Sequence, residues 1–453
     1  SPKKRQQLVT RLLRKNPHRF VSHFSRVWRS WMLPEVNSNF QLQFLIPGFQ
    51  GWLENQFRKD VSYDQMVRDL LTVPLPRNAR GSQFLLAGQS APSPMAYYQT
   101  REHKPENLGA ATSRLFLGVR LECAQCHDHP FAKWGRDQFW SYASFFAGLS
   151  PRVGNNAFRP SSEDVNKHSL TIPGTKRTVQ ATYLDGGSPT FPKGVSPRKT
   201  LADWMTSPKN PFFAKALVNR MWEYFLGTAI VEPVDEMVGT ESEASHPKLL
   251  QDLANAFVKQ GFDLKFLIES ILGSRAYQLS SRQTDSSQAD PTLFARMPLR
   301  GLTGDQLFDS VAEATGFQGG AQNVPTIGRQ GTPRQQFLRQ FQSQTGKKTD
   351  VQTSILQALA MMNGSITTSA TSLNRSQTLM SVIYSPFMNT RERIETLGLS
   401  TLSRKLTQAE IGRYERFIQT AMKGRTDKTK AYMEAVADVF WVMLNSSELM
   451  FNH

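Results

Sequence analysis

Cysteine is nearly absent from this chain: among 453 residues there are two, Cys123 and Cys126. A framework of structural disulfides is therefore excluded, because the one available pair would close too short a loop to stabilise much. Long apolar runs are missing too. No stretch approaches the ~20 residues that span a bilayer, and with a mean hydropathy of −0.42 the chain reads as soluble and globular. Acidic residues are scarce at the start: none precedes Glu35, whereas Lys3, Lys4, Arg5, Arg11, Arg14, Lys15, Arg19, Arg26 and Arg29 all do. A second acid-free basic stretch runs from Ala314 to Thr349, and the net charge is +17. Such stretches suit an anionic envelope polymer or polysaccharide, an acidic redox partner protein, or simply a solvated helix face. Zinc-finger and RNP-type signatures are absent, so nucleic acid is not expected. No Gly-x-Ser-x-Gly elbow, phosphate loop or dinucleotide fingerprint occurs either.

What is present gathers around the two cysteines, which read Cys123-Ala124-Gln125-Cys126-His127. Cys-x-x-Cys-His is the attachment pattern of a c-type haem. Residues i and i+3 lie on one side of a helical turn, so both sulfurs can bond the two arms of one porphyrin while the adjacent imidazole takes the iron. On this reading Cys123 and Cys126 carry the thioethers and His127 is the axial ligand. His129 lies too close in sequence to reach the far face of the same haem, and is assigned to a propionate, the backbone or the helix stop at Pro130. Three alternatives stay open. Zinc could recruit Cys123, Cys126, His127 or His129, although a closed site usually draws two further ligands from a distant pair, and no second Cys-x-x-Cys or any His-x-x-x-His exists. A thioredoxin-like redox pair would want a βαβ setting. The third is inert thiols or a local disulfide.

Helical punctuation dominates the remainder. Capping boxes are read at Ser62-x-x-Gln65, Thr303-x-x-Gln306 and Thr407-x-x-Glu410. Asn210-Pro211 opens a helix that Gly227 closes, with Phe213, Leu217, Met221, Tyr224 and Phe225 along one face. Leu250, Leu253, Ala254, Phe257 and Val258 repeat the pattern before Gly261, and Asp263 caps the next helix, Leu264 to Leu272, so the two form a hairpin. Val436, Val439, Phe440, Met443 and Leu444 build a face of the last long helix. Strand alternation is confined to Leu170 and Ile172, a Pro173-Gly174 turn, then Val179, Ala181 and Tyr183. This hairpin sits in a Pro/Gly/Ser-rich stretch bracketed by Asn155-Asn156 and Gly186-Gly187-Ser188-Pro189. The Gln- and Gly-rich stretch Gly316 to Gly346 reads as a long exposed loop. The fold class is mainly α: two helical domains joined by a connector that carries a small β-hairpin.

Residues around the cysteines also carry a resemblance. Lys104-Pro105-Glu106-Asn107, Ser113-Arg114-Leu115-Phe116-Leu117-Gly118 and Cys123-Ala124-Gln125-Cys126-His127-Asp128-His129-Pro130-Phe131 resemble the planctomycete cytochrome-c-like domain of unknown function. Leu201-Ala202-Asp203-Trp204, Asn210-Pro211-Phe212-Phe213-Ala214-Lys215, Val231-Glu232-Pro233-Val234-Asp235 and Ser245-His246-Pro247 resemble the C-terminal domain that usually follows it. So do Ser274-Arg275-Ala276-Tyr277-Gln278-Leu279, Phe294-Ala295-Arg296-Met297-Pro298-Leu299-Arg300 and Phe451-Asn452-His453. The resemblance implies a cytochrome-c-like domain over 1–150, begun inside its full length, a connector over 151–198 and the partner domain over 199–453. It implies an extracytoplasmic protein, periplasmic or at the cell surface, from which a signal sequence has been removed.

The functional expectation is a mono-haem c-type protein with a redox role, electron transfer or haem-dependent oxidation. Two alternatives stand beside it: a non-redox envelope scaffold with a structural metal or haem, and a polysaccharide-active enzyme with an auxiliary haem. The sixth iron position would decide between carrier and catalyst, and its candidates are His246 and His453. Phe131, Trp134, Phe139, Trp140, Tyr142, Phe145 and Phe146 could wall a haem or form ordinary helix core. Glu106 and Arg114 could anchor a propionate. Asp235 and Glu236 are adjacent carboxylates that point in different directions in most backbones, whereas glycosidase chemistry would need two carboxylates ~5–9 Å apart across a cleft.

Overall fold

The computed structural model describes residues 3–34, 44–75, 91–128, 134–150, 162–237, 244–317, 332–341, 359 and 361–452. Within them the chain is mainly α-helical, with two small antiparallel sheets. It packs as two compact units, Ser1–Met297 and Pro298–His453. The stretch read as a connector lies inside the first unit, so packing does not divide the chain there.

The first unit is built around the helix Phe213–Leu226, of which only Lys215 and Glu223 are not buried. Asn210 Oδ1 accepts from the backbone N–H groups of Phe212 and Phe213, and Gly227 ends the helix at φ 80°, a left-handed turn that costs glycine little. Phe213, Leu217, Met221, Tyr224 and Phe225 are all buried, as the periodicity predicts. Rings from the first 75 residues close on this helix: Tyr63 stacks on Phe213 at 4.8 Å, and Trp31 meets Tyr224 edge-on at 5.7 Å. Helices Pro247–Lys259 and Leu264–Gly273 follow, the second capped by Asp263 as expected.

The predicted hairpin forms with Ser169 opposite Gln180, Leu170 opposite Val179 and Thr171 opposite Thr178, and Gly174 turns it at φ 74°. Just beyond, Arg198 opens the helix Pro197–Met205 and turns inward. Its guanidinium, 3% exposed, forks onto the Glu163 carboxylate and donates to the carbonyls of Leu71 and Val73 and to the Tyr98 hydroxyl. The connector thus packs onto the first segment, and with Tyr63 on Phe213 residues from both sides of it share one core.

In the second unit the helix Lys428–Leu444 buries Val436, Val439, Phe440, Met443 and Leu444. Both capping boxes read there form, at Thr303 and Thr407. Two expectations need correction. Ser62 starts a helix at Tyr63 without a side-chain cap, and Gln65 reaches forward to Asp69 at 2.6 Å instead of back. The stretch 316–346 is not loop throughout: Pro333–Gln340 is a helix with a capping box from Thr332 to Gln335, and Phe337 and Arg334 are buried. A Gln-rich composition hid that cap. The remainder, 318–331 and 342–346, lies outside the described residues.

Glu410 receives the Arg404 guanidinium as well as the Thr407 backbone N–H, and the first of these chiefly pulls its carboxyl from 4.5 down to about 2. A depressed carboxylate contributes stability that is complete above its unfolded value and fades as pH falls through its folded one. Carbon-detected NMR titration should place Glu410 near pH 2, and Glu410→Gln should flatten the acid dependence of unfolding between 4.5 and 2. Titration at the ordinary value would refute the assignment.

Candidate functional site: the Cys123–His127 turn

The segment leading to the cysteines is fastened from below. A π-helical turn, Ser113–Leu117, ends at Gly118 with φ 63°, where an added Cβ would come within 2.8 Å of Met237 Sδ. Phe116, Leu117, Val119 and Leu121 are buried and fix the direction of the backbone. Glu122–Gln125 then forms a 3-10 turn, with Ala124 N donating to Leu121 O at 2.9 Å. Ala124 is buried, which turns Cys123 and Cys126 outward, and both are free and exposed thiols. Cys123 lies in this turn and Cys126 caps its C-terminal end, three residues on.

His127 is exposed, and its Nδ1 lies 2.7 Å from the carbonyl oxygen of Asp128. A carbonyl only accepts, so Nδ1 carries the proton and Nε2 keeps its lone pair. A backbone acceptor on the second ring nitrogen is the usual support of a metal-bound histidine. Two thiols reachable from solvent and an imidazole with Nε2 available fit the donor set of a covalent haem. Among the described residues no group of three or more His, Cys, Asp or Glu side chains is placed to hold a metal ion. A closed zinc site, the alternative cofactor, would have to draw ligands from elsewhere.

Charges surround the turn. Arg114 pairs with Glu122 at 3.0 Å rather than with Glu106, and Arg120 pairs with Glu236 at 2.8 Å. Asp235 faces Arg220 instead, so the adjacent carboxylates do part, as their spacing suggests. The aromatics that follow the motif pack into the core. Trp134, Phe139, Trp140, Tyr142, Phe145 and Phe146 are buried, Tyr142 donates to Thr112 Oγ1, and Phe145 stacks on Tyr183 at 5.3 Å. They support the turn from inside.

Of the other predicted site residues, His246 contacts Ser245 Oγ at 3.1 Å and the Phe294 ring at 5.4 Å. His129, His453 and Phe131 lie outside the described residues. Sequence reasoning missed two supports of the turn. Trp140 Nε1 donates to Gln125 O at 3.1 Å, and Asp128 Oδ1 accepts from Arg136 N at 2.8 Å, capping the helix Arg136–Ala143. Gly135 followed by Gln138 advertises that helix start, but a cap supplied from eight residues upstream leaves no local spacing to read.

Fold and site define a class first: a mainly α-helical chain that presents a Cys-x-x-Cys-His turn to solvent. Residues 1–150 match PSCyt2, a protein of unknown function (DUF1549), and residues 197–348 match PSD1, a protein of unknown function (DUF1553). The chain belongs to the planctomycete-type two-domain family in which these segments follow one another. The cysteine motif lies in the first segment and His246 in the second. No curated protein and no solved structure matches the chain. Among the described residues no helix is long and apolar enough to cross a membrane.

Proposed function

We propose that this chain is an extracytoplasmic mono-haem c-type protein with a redox role, in electron transfer or haem-dependent oxidation. One observation carries the reading: two exposed free thiols sit in and at the end of one 3-10 turn, and the next imidazole has Nδ1 committed to a backbone carbonyl and Nε2 available. Cys123 and Cys126 would hold the group covalently and His127 would ligate its iron. A bound haem supplies one-electron exchange at the surface of the fold. Leu121 and Ala124 are buried and keep the turn from shifting. Because covalent haem attachment takes place outside the cytoplasm, the reading places the protein in the periplasm or at the cell surface. His246 and His453 stay candidates for the sixth position.

The exposed cations Lys4, Arg5, Arg11 and Lys15 suit an acidic redox partner or an anionic envelope polymer. Arg14 is not among them, since it pairs with Glu269 at 2.8 Å. Material expressed with haem-attachment machinery should show ~616 Da above the polypeptide mass, one haem, with a Soret band. Carbon monoxide binding after reduction would favour an open iron and oxidation chemistry; resistance to it would favour a carrier. Unmodified mass with no visible absorbance would sink the proposal.

A further inference from the structure

Resting on that reading, we infer that the helix Arg136–Ala143 is a clamp on the haem-attachment turn, with Asp128 and Trp140 as its positioning residues. Two hydrogen bonds define it. Trp140 Nε1 holds the carbonyl of Gln125, and the first N–H of the helix, at Arg136, holds the carboxylate of Asp128. The bonded residues flank Cys126 and His127 on either side, so the second thiol and the imidazole are strung between two points on one rigid element.

The carboxylate end is built for close approach. A Cβ on Gly135 would lie 3.3 Å from Asp128 Oδ1, tighter than ordinary contact, so the missing side chain leaves the room that Asp128 uses. Gln138 closes the same helix start by accepting from Gly135 N at 2.8 Å. An acidic group at a helix N-terminus gains from the helix dipole as well as from the N–H it accepts. The helix is itself moored: Arg136 donates to Pro173 O at 2.7 Å, and Trp140 is 5% exposed. With its side chain seated, Asp128 presents its own carbonyl to His127 Nδ1 at 2.7 Å. The clamp therefore selects the imidazole tautomer and the direction of Nε2. Asp128 never touches the iron. It acts through His127, by the logic that makes outer partners of metal ligands matter.

The test uses the full chain, labelled with nitrogen-15 at histidine, in haem-free and haem-loaded forms. In the haem-free wild type, long-range proton–nitrogen correlations should report the Nδ1–H tautomer at His127. Asp128→Ala and Trp140→Phe should each lower its ratio to the Nε2–H form, about fivefold if one net hydrogen bond is lost. Asp128→Asn, whose amide oxygen still accepts from Arg136 N, should restore the wild-type ratio. In the haem-loaded ferrous protein the iron–histidine stretching band should broaden and move to lower wavenumber in Asp128→Ala and stay in place in Asp128→Asn. A purely structural role would lower the melting temperature without these changes, or would make the asparagine variant as defective as the alanine one; either result overturns the inference. Native material without haem, but with the tautomer change intact, would overturn the redox reading and leave the clamp standing.

Discussion

Replacing Cys123 and Cys126 together by alanine is expected to abolish covalent haem, removing both the ~616 Da increment of one such group and the Soret band. The polypeptide itself should fold as before. Both thiols are exposed and free, and surface substitutions of that kind usually change stability by no more than about 0.5 kcal/mol. Far-UV circular dichroism and melting temperature of the haem-free proteins should therefore coincide. Each single variant keeps one sulfur and should retain reduced amounts of haem through one thioether. His127→Ala should retain attachment while losing the axial bond, seen as a change of iron spin state. Haem bound as firmly in the double variant as in the wild type would show that the thiols do not carry it.

The largest expected effect on the fold belongs to Arg198→Met. The guanidinium is 3% exposed and its partner Glu163 only 11%, and the pair forms a fork of two hydrogen bonds. Removing one member of a buried pair leaves the other's charge without a counter-ion, here Glu163 with the Ser196 hydroxyl but no guanidinium, at a cost of about 3–5 kcal/mol. The carbonyl of Val73 also loses its donor, whereas Leu71 O keeps Tyr98. For a unit of this size that corresponds to a fall of about 5–8 °C in Tm by calorimetry. The double variant Arg198→Met, Glu163→Leu should recover much of the loss, because it removes the stranded charge along with its partner. A single variant that melts with the wild type would mean that water reaches Glu163.

Much of the helical layout was legible because it is written in local rules. The Asn210 start and Gly227 stop of the central helix, the Asp263 cap and the Pro173-Gly174 hairpin each depend on residues within a few positions of one another. What escaped the sequence acts at a distance. Arg198 reaching Leu71, Asp128 capping a helix eight residues on and Trp140 holding Gln125 have no periodicity to betray them. At Ser62 a short-range signal did not hold: its hydroxyl makes no cap, and Gln65 bonds Asp69. The aromatics after the motif were ambiguous between haem wall and core, since both uses ask for the same residue types. Trp134, Phe139, Trp140, Tyr142, Phe145 and Phe146 are buried in the core.

The inward turn of Arg198 has a bearing on how such chains can be recombined. The seam between the PSCyt2 and PSD1 segments falls at the mouth of a socket whose lining, Leu71, Val73 and Tyr98, belongs to one segment and whose plug belongs to the other. Tyr63 against Phe213 repeats the arrangement with rings. A chimera that joins the front of one relative to the back of another at this seam inherits a lock and a key cut separately. The two segments travel best as a matched set.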